Sequence, residues 1–594
     1  MKIKAVIIDL SNNEVRELDY DSEKWLGGRG LATRILMDHC DPACDPLGPD
    51  NAIVFAASPL TGTIAPTAGR GHAVFKSPLT GAIGSCNSGG HWGKVMKSSG
   101  VDAIVIKGAA KSPVHITITD QGAELGDRIK IKDAQDLWGK DVHETTSILT
   151  ERLGKTASIL AIGPAGENKV RFAALMNDKN RAYGRGGPGA VFGTKNLKAI
   201  AVSGSRKTEV ADLKRLKKAV EQSRHIMKAV PATKRVLRDL GTAGLIRLIN
   251  MMGILPRKNF RDCTHVEALL DQISGETLSE KILVKPGACF GCPIMCARHT
   301  RIGDKTGEGP EYETIVLMGT VMDIYDLEAI TLANYASNEL GMDTISLGGA
   351  LACAAELFDL KEIGLSDFSG PPVRFGDADI YPEIVYRIAK RDGIGGLIAD
   401  GALRMANRIG RPETAMTVKG LEIPGYDPRG MPAQALGYMT SPTGACHLKG
   451  GYSIGLGFFG GIKEVPRFLI RQAALTSLNQ HNVGIIQDSL GICRFTGYAV
   501  GLEHWARIYS SVIGKEISTK DLEHIAERIA TLERMFNIRA GFSRADDDLP
   551  ARFKTEPIII DNRKRIISED DRNRLLDDYY SERKWDREGI PIEK

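Results

Sequence analysis

The chain has 594 residues, 42% of them hydrophobic and 25% charged, with a net charge of +5. That balance excludes disorder, collagen and coiled coil as whole-chain readings, and so small a charge on so long a chain argues against a nucleic-acid or membrane partner. Ten cysteines are too few for a disulfide scaffold, whereas 65 glycines are an enrichment.

The chain begins MKIKAVIIDL, a short apolar run closed by Asp9 that predicts a strand and lacks the longer apolar core of a secretory signal. No apolar run approaches the length of a membrane span, so a cytoplasmic location is the default. Similar β-branched runs recur at Val6–Ile8, Ala52–Phe55, Ala103–Ile106, His115–Ile118, Ser158–Leu160 and Lys198–Val202, separated by Gly, Pro, Asn and Asp. They predict a β-rich domain over 1–205. Glycine-rich strings punctuate it: Gly27–Gly30, Ala68–Gly71 with Arg70, Asn87–Gly90, and Arg181–Gly189. Each alone reads as a turn. Together, their backbone N–H groups and arginines suit an extended polyanionic cofactor.

From Asp212 onward, charged and apolar residues mix with a helical period. Helices are predicted over 232–252, 327–360, 380–391 and 394–408. The clearest contains Leu522, Ile525, Ile529, Leu532 and Phe536, whose spacing makes one face apolar. Ser518 with Asp521 resembles a capping box, and Gly541 is the natural stop. The Pro/Gly-rich stretch 422–432 reads as a boundary, so the outline is α+β: a β domain, then two mainly α-helical domains over 206–415 and 416–594. The last ~35 residues, rich in Arg, Asp and Glu, are expected to wrap the surface or stay loose.

The most specific local signal is Cys289, Cys292 and Cys296, spaced C-x2-C-x3-C. Thiolates so spaced can converge on one centre. A [4Fe–4S] cluster needs a fourth cysteine from elsewhere. A structural zinc could use the three cysteines with His299. A radical cluster of the S-adenosylmethionine type has the reverse order, and three inert thiols are the bland alternative. Cys493 stands in Asp488-Ser-Leu-Gly491-Ile-Cys493, and a related string is Asn338-Glu-Leu-Gly341-Met-Asp343. Two such hexapeptides in two helical domains suggest equivalent ligands about a pseudo-twofold axis, with the Asp or Asn side chain bonding a heterocycle.

These strings, in order, resemble the tungsten-containing aldehyde:ferredoxin oxidoreductases over essentially the full length. The similarity is carried by Trp25–Leu31, Pro59–Gly62, Lys76–Gly81, Asn87–Gly90, Ile162–Asn168, Arg185–Gly187, the cysteine motif, Gly309–Glu313, Tyr426–Gly430, Cys446–Lys449 and the D-x-x-G-x-C element. The resemblance implies that the β domain is the base for a tungsten or molybdenum bis-pterin. Arg70, Asn87, Gly89, Arg181, Ala182, Gly184 and Arg185 would hold pterin and phosphate groups. Asn338, Met342 and Asp343 would serve one pterin, and Lys449, Asp488, Ile492 and Cys493 the other. Mg2+ would bridge the pterin phosphates through carbonyls near Asn87 and Ala182. Cys289, Cys292, Cys296 and Cys493 would ligate one [4Fe–4S] cluster that feeds ferredoxin or an iron–sulfur electron-transfer subunit.

Within that family, Glu313 suits the base that activates water and His447 the donor that polarises the carbonyl. Without the resemblance they read more simply as a surface carboxylate and a core histidine. Leu332 and Tyr335 stand where some homodimeric members bind a bridging iron through Glu-x-x-His, so any homo- or hetero-oligomer is expected to form without that iron. Thr443 replaces an arginine found near the pterin in some members, and Asn338 a frequent aspartate. Besides aldehyde oxidation, a benzoyl-CoA-reductase-like catalytic subunit fits the same scaffold. From another class, a non-catalytic iron–sulfur carrier or a zinc-stabilised binding protein fits the cysteines alone.

Overall fold

Every apolar run of the first 205 residues forms a strand in the computed structural model, which describes residues 2–363, 369–459 and 466–592. Met1 and the last two residues of the tail lie outside the described residues. Strands β1 (Lys2–Asp9), β2 (Glu14–Asp21), β3 (Ile53–Ala56), β4 (Gly71–Lys76), β5 (Ile83–Ser88) and β6 (Ala103–Lys107) build one sheet, ordered β2-β1-β6-β3-β4-β5. Strands β7 (Val114–Ile118), β8 (Ile129–Asp133), β9 (Ser158–Ala161), β10 (Leu175–Asn177), β11 (Arg181–Tyr183) and β12 (Leu197–Val202) build a second, ordered β11-β10-β9-β12-β7-β8. Only β1/β6 and β7/β12 pair in parallel among these strands.

The inner strands β3, β4, β6, β9 and β12 and most of β1 are buried on both faces, whereas β2 and β8 are largely exposed. Along β1, Val6 and Ile8 enter the core shared with the second sheet. Ile3, Ala5 and Ile7 enter another core, covered by Leu31, Ile35 and Leu36 of helix α1 (Gly28–His39). In β12, Ile200 and Val202 face the shared core while Ala199 and Ala201 face outward onto a third. A strand buried on both sides needs apolar residues at every position, so these runs read as continuous rather than alternating. Phe55 anchors the shared core, with Trp92, Tyr183 and Phe192 at 5.3, 5.6 and 6.0 Å between ring centroids. Truncating such a buried ring costs about 3–5 kcal/mol. The edge strands β5 and β11 lie side by side, so the two sheet edges meet where Asn87 and Arg181 sit.

The helical part comprises α2 (Leu213–Ala229), α3 (Tyr312–Met318), α4 (Leu327–Leu340), α5 (Thr344–Asp359), α6 (Ile470–Leu490), α7 (Leu502–Ile513), α8 (Thr519–Arg539) and α9 (Glu569–Glu582), with shorter turns between. α8 starts with the expected Ser518–Asp521 capping box, and Gly541, with φ +97°, lies just past its end.

Several predicted helices are interrupted. The stretch 327–360 is two helices, α4 and α5, because Gly341 adopts a left-handed conformation between them. The stretch 394–408 splits into Ile394–Ile398 and Ala402–Ile409, and 232–252 is a chain of short π, α and 3-10 turns. Tyr381–Lys390 forms as expected. The loose tail is a further correction. Residues 569–582 form α9, capped by Ser568 and Asp571, with Leu575, Leu576, Tyr579 and Tyr580 buried in the largest core. Its charged residues dominate the composition, but four apolar positions on one face are enough to dock it.

Candidate active site

The two related hexapeptides adopt the same local structure. α4 ends at Gly341 and α6 at Gly491, with φ of +77° and +67°. In each, the glycine and the next residue donate their N–H groups to earlier carbonyls of the helix. Gly341 and Met342 bond the Ser337 carbonyl, both at 2.9 Å, and Gly491 and Ile492 bond the Gln487 carbonyl, with Ile492 at 2.9 Å. This glycine-dependent helix stop turns the chain sharply toward the β domain. Each stop abuts a different sheet. Asp343 N–H bonds the Phe172 carbonyl beside β10, whereas Arg70 N–H bonds the Gly491 carbonyl beside β4. Two helix ends of the same construction thus meet the two sheets of the β domain.

Asp488 is the hub of the second stop. Its carboxylate accepts from Lys449 Nζ at 2.6 Å, Asn87 Nδ2 at 3.0 Å and Arg29 Nη1 at 3.4 Å. Burial alone would raise its pKa, but Lys449, His72, Arg494 and Arg29 outweigh that and hold it well below the ordinary carboxylate range. Arg70 extends the network, donating to Asn87 Oδ1 at 2.7 Å and to Cys493 Sγ at 3.2 Å. At the first stop, Asp343 caps α5 and faces Arg185 at 3.3 Å, while Arg185 also donates to the carbonyls of Ala445 and Glu422.

Cys289, Cys292, Cys296 and Cys493 line one small cavity together with Thr67, Gly69, Arg70 and Arg181. Gly89 forms part of the wall behind it: a Cβ there would stand 2.7 Å from Cys289 Sγ. Burial raises the Cys292 thiol to about 11 and Cys296 well above its usual value. His299 is not among the residues lining the cavity. Among the described residues, no three His, Cys, Asp or Glu side chains converge on a single metal ion. Four cysteines around a common space fit a cluster with four thiolate ligands.

Next to it opens a cavity of about 680 Å³ that shares Cys289, Cys296 and Cys493 as wall, within the ~300–1,000 Å³ usual for small-molecule sites. Arg70, Asn87, Arg181, Gly184 and Arg185 line its β-domain side, and Lys449, Asp488, Ile492 and Arg494 its far side. This cationic, amide-rich lining fits phosphate-bearing pterins.

Glu313 and His447 also line that cavity. Glu313 is in the first turn of α3; its Oε2 accepts from Gly425 N–H at 2.8 Å, and its Oε1 stands 3.5 Å from His447 Nδ1. Neither Oε1 nor Nδ1 has a closer hydrogen-bond partner. Burial lifts the Glu313 carboxyl to about 7. Burial, then Arg185, Arg494 and Lys449, lower the His447 imidazole to about 3. Tyr312 stacks on Tyr426 at 5.0 Å, and Tyr426 and Tyr452 approach His447 at 5.7 and 6.0 Å. Glu313 and His447 are thus neither a surface carboxylate nor a satisfied core histidine.

Of the other residues singled out in the sequence, Met342 bridges to Ala173 and Ala182 pairs with Met176, both behind the lining rather than in it. Asn338 is half-buried near the end of α4. Thr443 Oγ1 lies 3.3 Å from Ser441 Oγ, and the Tyr335 hydroxyl 2.6 Å from Thr300. The string Gly27–Gly30 is not a phosphate loop. It opens α1, and Arg29 is fully enclosed, with two bonds of 2.7 Å to Glu533 besides its contact with Asp488. Glu533 and Arg494 escaped sequence reasoning. Glu533 stands among ordinary helical neighbours, and only the packing of α1 against α8 gives it a role; Arg494 follows Cys493 directly and is drawn in by its bonds to Gln487 and the Leu448 carbonyl.

Comparison with known proteins agrees with this architecture. Residues 5–204 match the profile of "Aldehyde ferredoxin oxidoreductase, N-terminal domain", and 218–594 that of "Aldehyde ferredoxin oxidoreductase, domains 2 & 3". The chain is 42% identical to a tungsten-containing aldehyde ferredoxin oxidoreductase of Pyrococcus furiosus, covering 100% of this chain and 97% of the relative. It is 30% identical to the WOR-like subunit of an aliphatic sulfonate oxidoreductase of the same organism, covering 100% and 95%. Among solved structures, the active-site complex BamBC of benzoyl coenzyme A reductase with 1,5-dienoyl-CoA superimposes with a TM-score of 0.85 at 25% identity, covering 100% of this chain and 96% of that one.

Proposed function

This chain belongs to the tungsten-containing aldehyde ferredoxin oxidoreductase family, and we propose that it oxidises aldehydes to carboxylic acids at a tungsten or molybdenum bis-pterin. Electrons would leave through one [4Fe–4S] cluster on Cys289, Cys292, Cys296 and Cys493 to ferredoxin or an iron–sulfur partner subunit. Among the described residues no helix is long and apolar enough to cross a membrane, and we place the enzyme in the cytoplasm. In this reading 1–205 is the cofactor base, 206–415 carries the cysteine motif and first pterin motif, and 416–594 carries the second. Arg70, Asn87, Gly89, Arg181, Ala182, Gly184 and Arg185 would hold pterin and phosphate groups, and backbone carbonyls near Asn87 and Ala182 would hold the Mg2+ that neutralises the phosphates. Asn338, Met342 and Asp343 serve one pterin, and Lys449, Asp488, Ile492 and Cys493 the other. When bound, the metal supplies two-electron oxidation beside a one-electron relay.

The observation that carries the reading is the Glu313–His447 pair lining the same cavity as Cys493. With Glu313 at about 7, a large fraction is carboxylate at neutral pH, and Oε1 is free to take a proton from water. With His447 at about 3, its ring is neutral, so it acts through tautomers rather than as a cation. In the Nε2–H tautomer His447 can donate to a developing oxyanion, while Oε1 takes a proton from water and then donates it in a hydrogen bond to the unprotonated Nδ1 3.5 Å away. The two residues therefore act together, Glu313 as base and His447 as donor.

A panel of short aldehydes assayed anaerobically with viologen, alongside elemental analysis, tests the proposal. About one tungsten or molybdenum and about four irons per chain are expected; stoichiometric zinc with neither would overturn it.

The benzoyl-CoA-reductase likeness favours a second reading, low-potential ring reduction by a catalytic subunit. The higher identity to the aldehyde enzymes, 42% against 25%, ranks it below the first. A 1,5-dienoyl-CoA oxidation assay separates the two. A mere electron carrier or zinc-stabilised binding protein has no use for a deep cavity with a poised acid–base pair.

A further inference from the structure

Residues 214–238 contain nine Lys or Arg and one Glu, a local charge of +8 in a chain whose total is only +5. The rest of the molecule is therefore slightly acidic, and its positive charge is concentrated in α2 and the turns that follow. Leu216, Ala219 and Val220 press the inner face of α2 onto α7, which leaves Lys217, Lys218, Arg224 and Lys228 exposed. Beyond them Lys234, Arg235 and Arg238 are exposed as well.

This segment is joined to the cysteine loop. Met227 and Leu237 share an apolar cluster with Ile294, Cys292 and Cys296. Arg298 donates to the carbonyls of Arg238, Asp239 and Met295, tying the basic segment to the end of the loop. Arg224 reaches the Ile64 carbonyl at 3.4 Å, and Thr67 N–H in the same turn bonds the Gly291 carbonyl at 3.2 Å. On the other flank Lys94 Nζ stands 5.9 Å from the Phe290 ring centroid. The loop itself presents Ala288, Gly291 and Pro293 to solvent, with Ile64 42% exposed beside it. The small, weakly polar surface of the cysteine loop is thus bordered by Lys94 on one side and joined to the basic segment on the other.

We propose that this face docks an acidic iron–sulfur electron carrier. The inference rests on the reading that the four cysteines hold a cluster. Each transfer moves one electron from that reduced cluster to an oxidised cluster of the carrier, with no bond made or broken, and two transfers follow each aldehyde oxidised. Charge complementarity brings the carrier in and orients it, and the uncharged loop lets it approach closely.

The test uses the holoenzyme, an acidic two-cluster ferredoxin as probe, and the triple variant K228E/K234E/R235E. None of the three residues belongs to the catalytic or cofactor-binding set. The kcat/KM for ferredoxin should fall ~10-fold or more, and the fall of the wild-type rate with added salt should flatten, while viologen-linked aldehyde oxidation stays within about twofold. The control K130E/K132E alters β8, the sheet edge opposite β11, and should leave the ferredoxin rate intact. A ferredoxin rate in the triple variant within about twofold of wild type, or an equal loss in the control, would overturn the docking surface. Failure of the viologen assay in wild type would instead strike the aldehyde reading. Calorimetric ferredoxin binding to the same samples then decides the docking question: weaker binding by the triple variant supports it, and unchanged binding refutes it.

Discussion

Glu313→Gln should make the protein less active and, above neutral pH, more stable. In the folded chain burial moves the Glu313 carboxyl from its ordinary 4.5 to about 7, a gap that corresponds to about 3 kcal/mol. The sign follows from proton binding. Between pH 4.5 and 7 the unfolded chain has already lost this proton and the folded chain has not, so folding stability declines across that window and the loss is complete above it. Gln keeps the acceptor for Gly425 N–H and carries no charge to bury. The variant should therefore gain thermal stability over wild type at pH 8.5 and gain little at pH 4.5. Turnover should fall ~10²-fold or more, because the base is gone. Wild-type kcat/KM should rise with pH and level off above about 7, and the residual activity of the variant should lose that limb. Matched aldehyde–viologen kinetics and melting curves across pH check both halves. Wild-type turnover in the variant, or a melting difference that ignores pH, would refute the reasoning.

Four further outcomes follow from the same geometry. Asp488→Asn leaves Lys449 as a buried cation without its carboxylate, while Arg29 keeps Glu533, so stability at neutral pH should drop by about 3–5 kcal/mol. In wild type that contribution is complete above the ordinary Asp range and fades progressively as pH falls below it, which acid-melting curves would show. Gly89→Ala places a methyl group against Cys289 Sγ; iron per chain should fall while far-ultraviolet circular dichroism is unchanged, and full iron content would count against the cluster placement. Cys493→Ser should impair cluster assembly, and an unaltered cluster EPR signal would mean that another cysteine is the fourth ligand. His447→Ala should cost ~10²–10³ in kcat if Nε2 meets the oxyanion; a rise in KM alone would assign it to substrate binding instead.

Much of the fold was legible because the inner strands are buried on both faces. Two-sided burial writes an uninterrupted apolar run, and each run became a strand at the expected place. The helix stops were readable for a different reason: a left-handed residue at Gly341 and Gly491 admits few side chains, so the motif survives in the letters. The break of 327–360 into two helices follows from that same glycine, although apolar periodicity on both sides concealed it. The tail was misjudged because composition averages over faces. α9 is mostly charge, yet Leu575, Leu576, Tyr579 and Tyr580 all point one way.

By itself, the sequence determined what is local: where strands run, where glycine ends a helix, and which cysteines stand within a turn of one another. Those features depend on a few neighbouring residues and their backbone preferences. Only the tertiary structure decided which distant groups share a low-dielectric space. Glu313 and His447 lie 3.5 Å apart across more than a hundred residues of chain, Arg29 is spoken for by Glu533 and Asp488, and Cys493 joins a loop two hundred residues upstream. Proton affinity and charge pairing depend on burial and on separations of a few ångströms, and folding sets both.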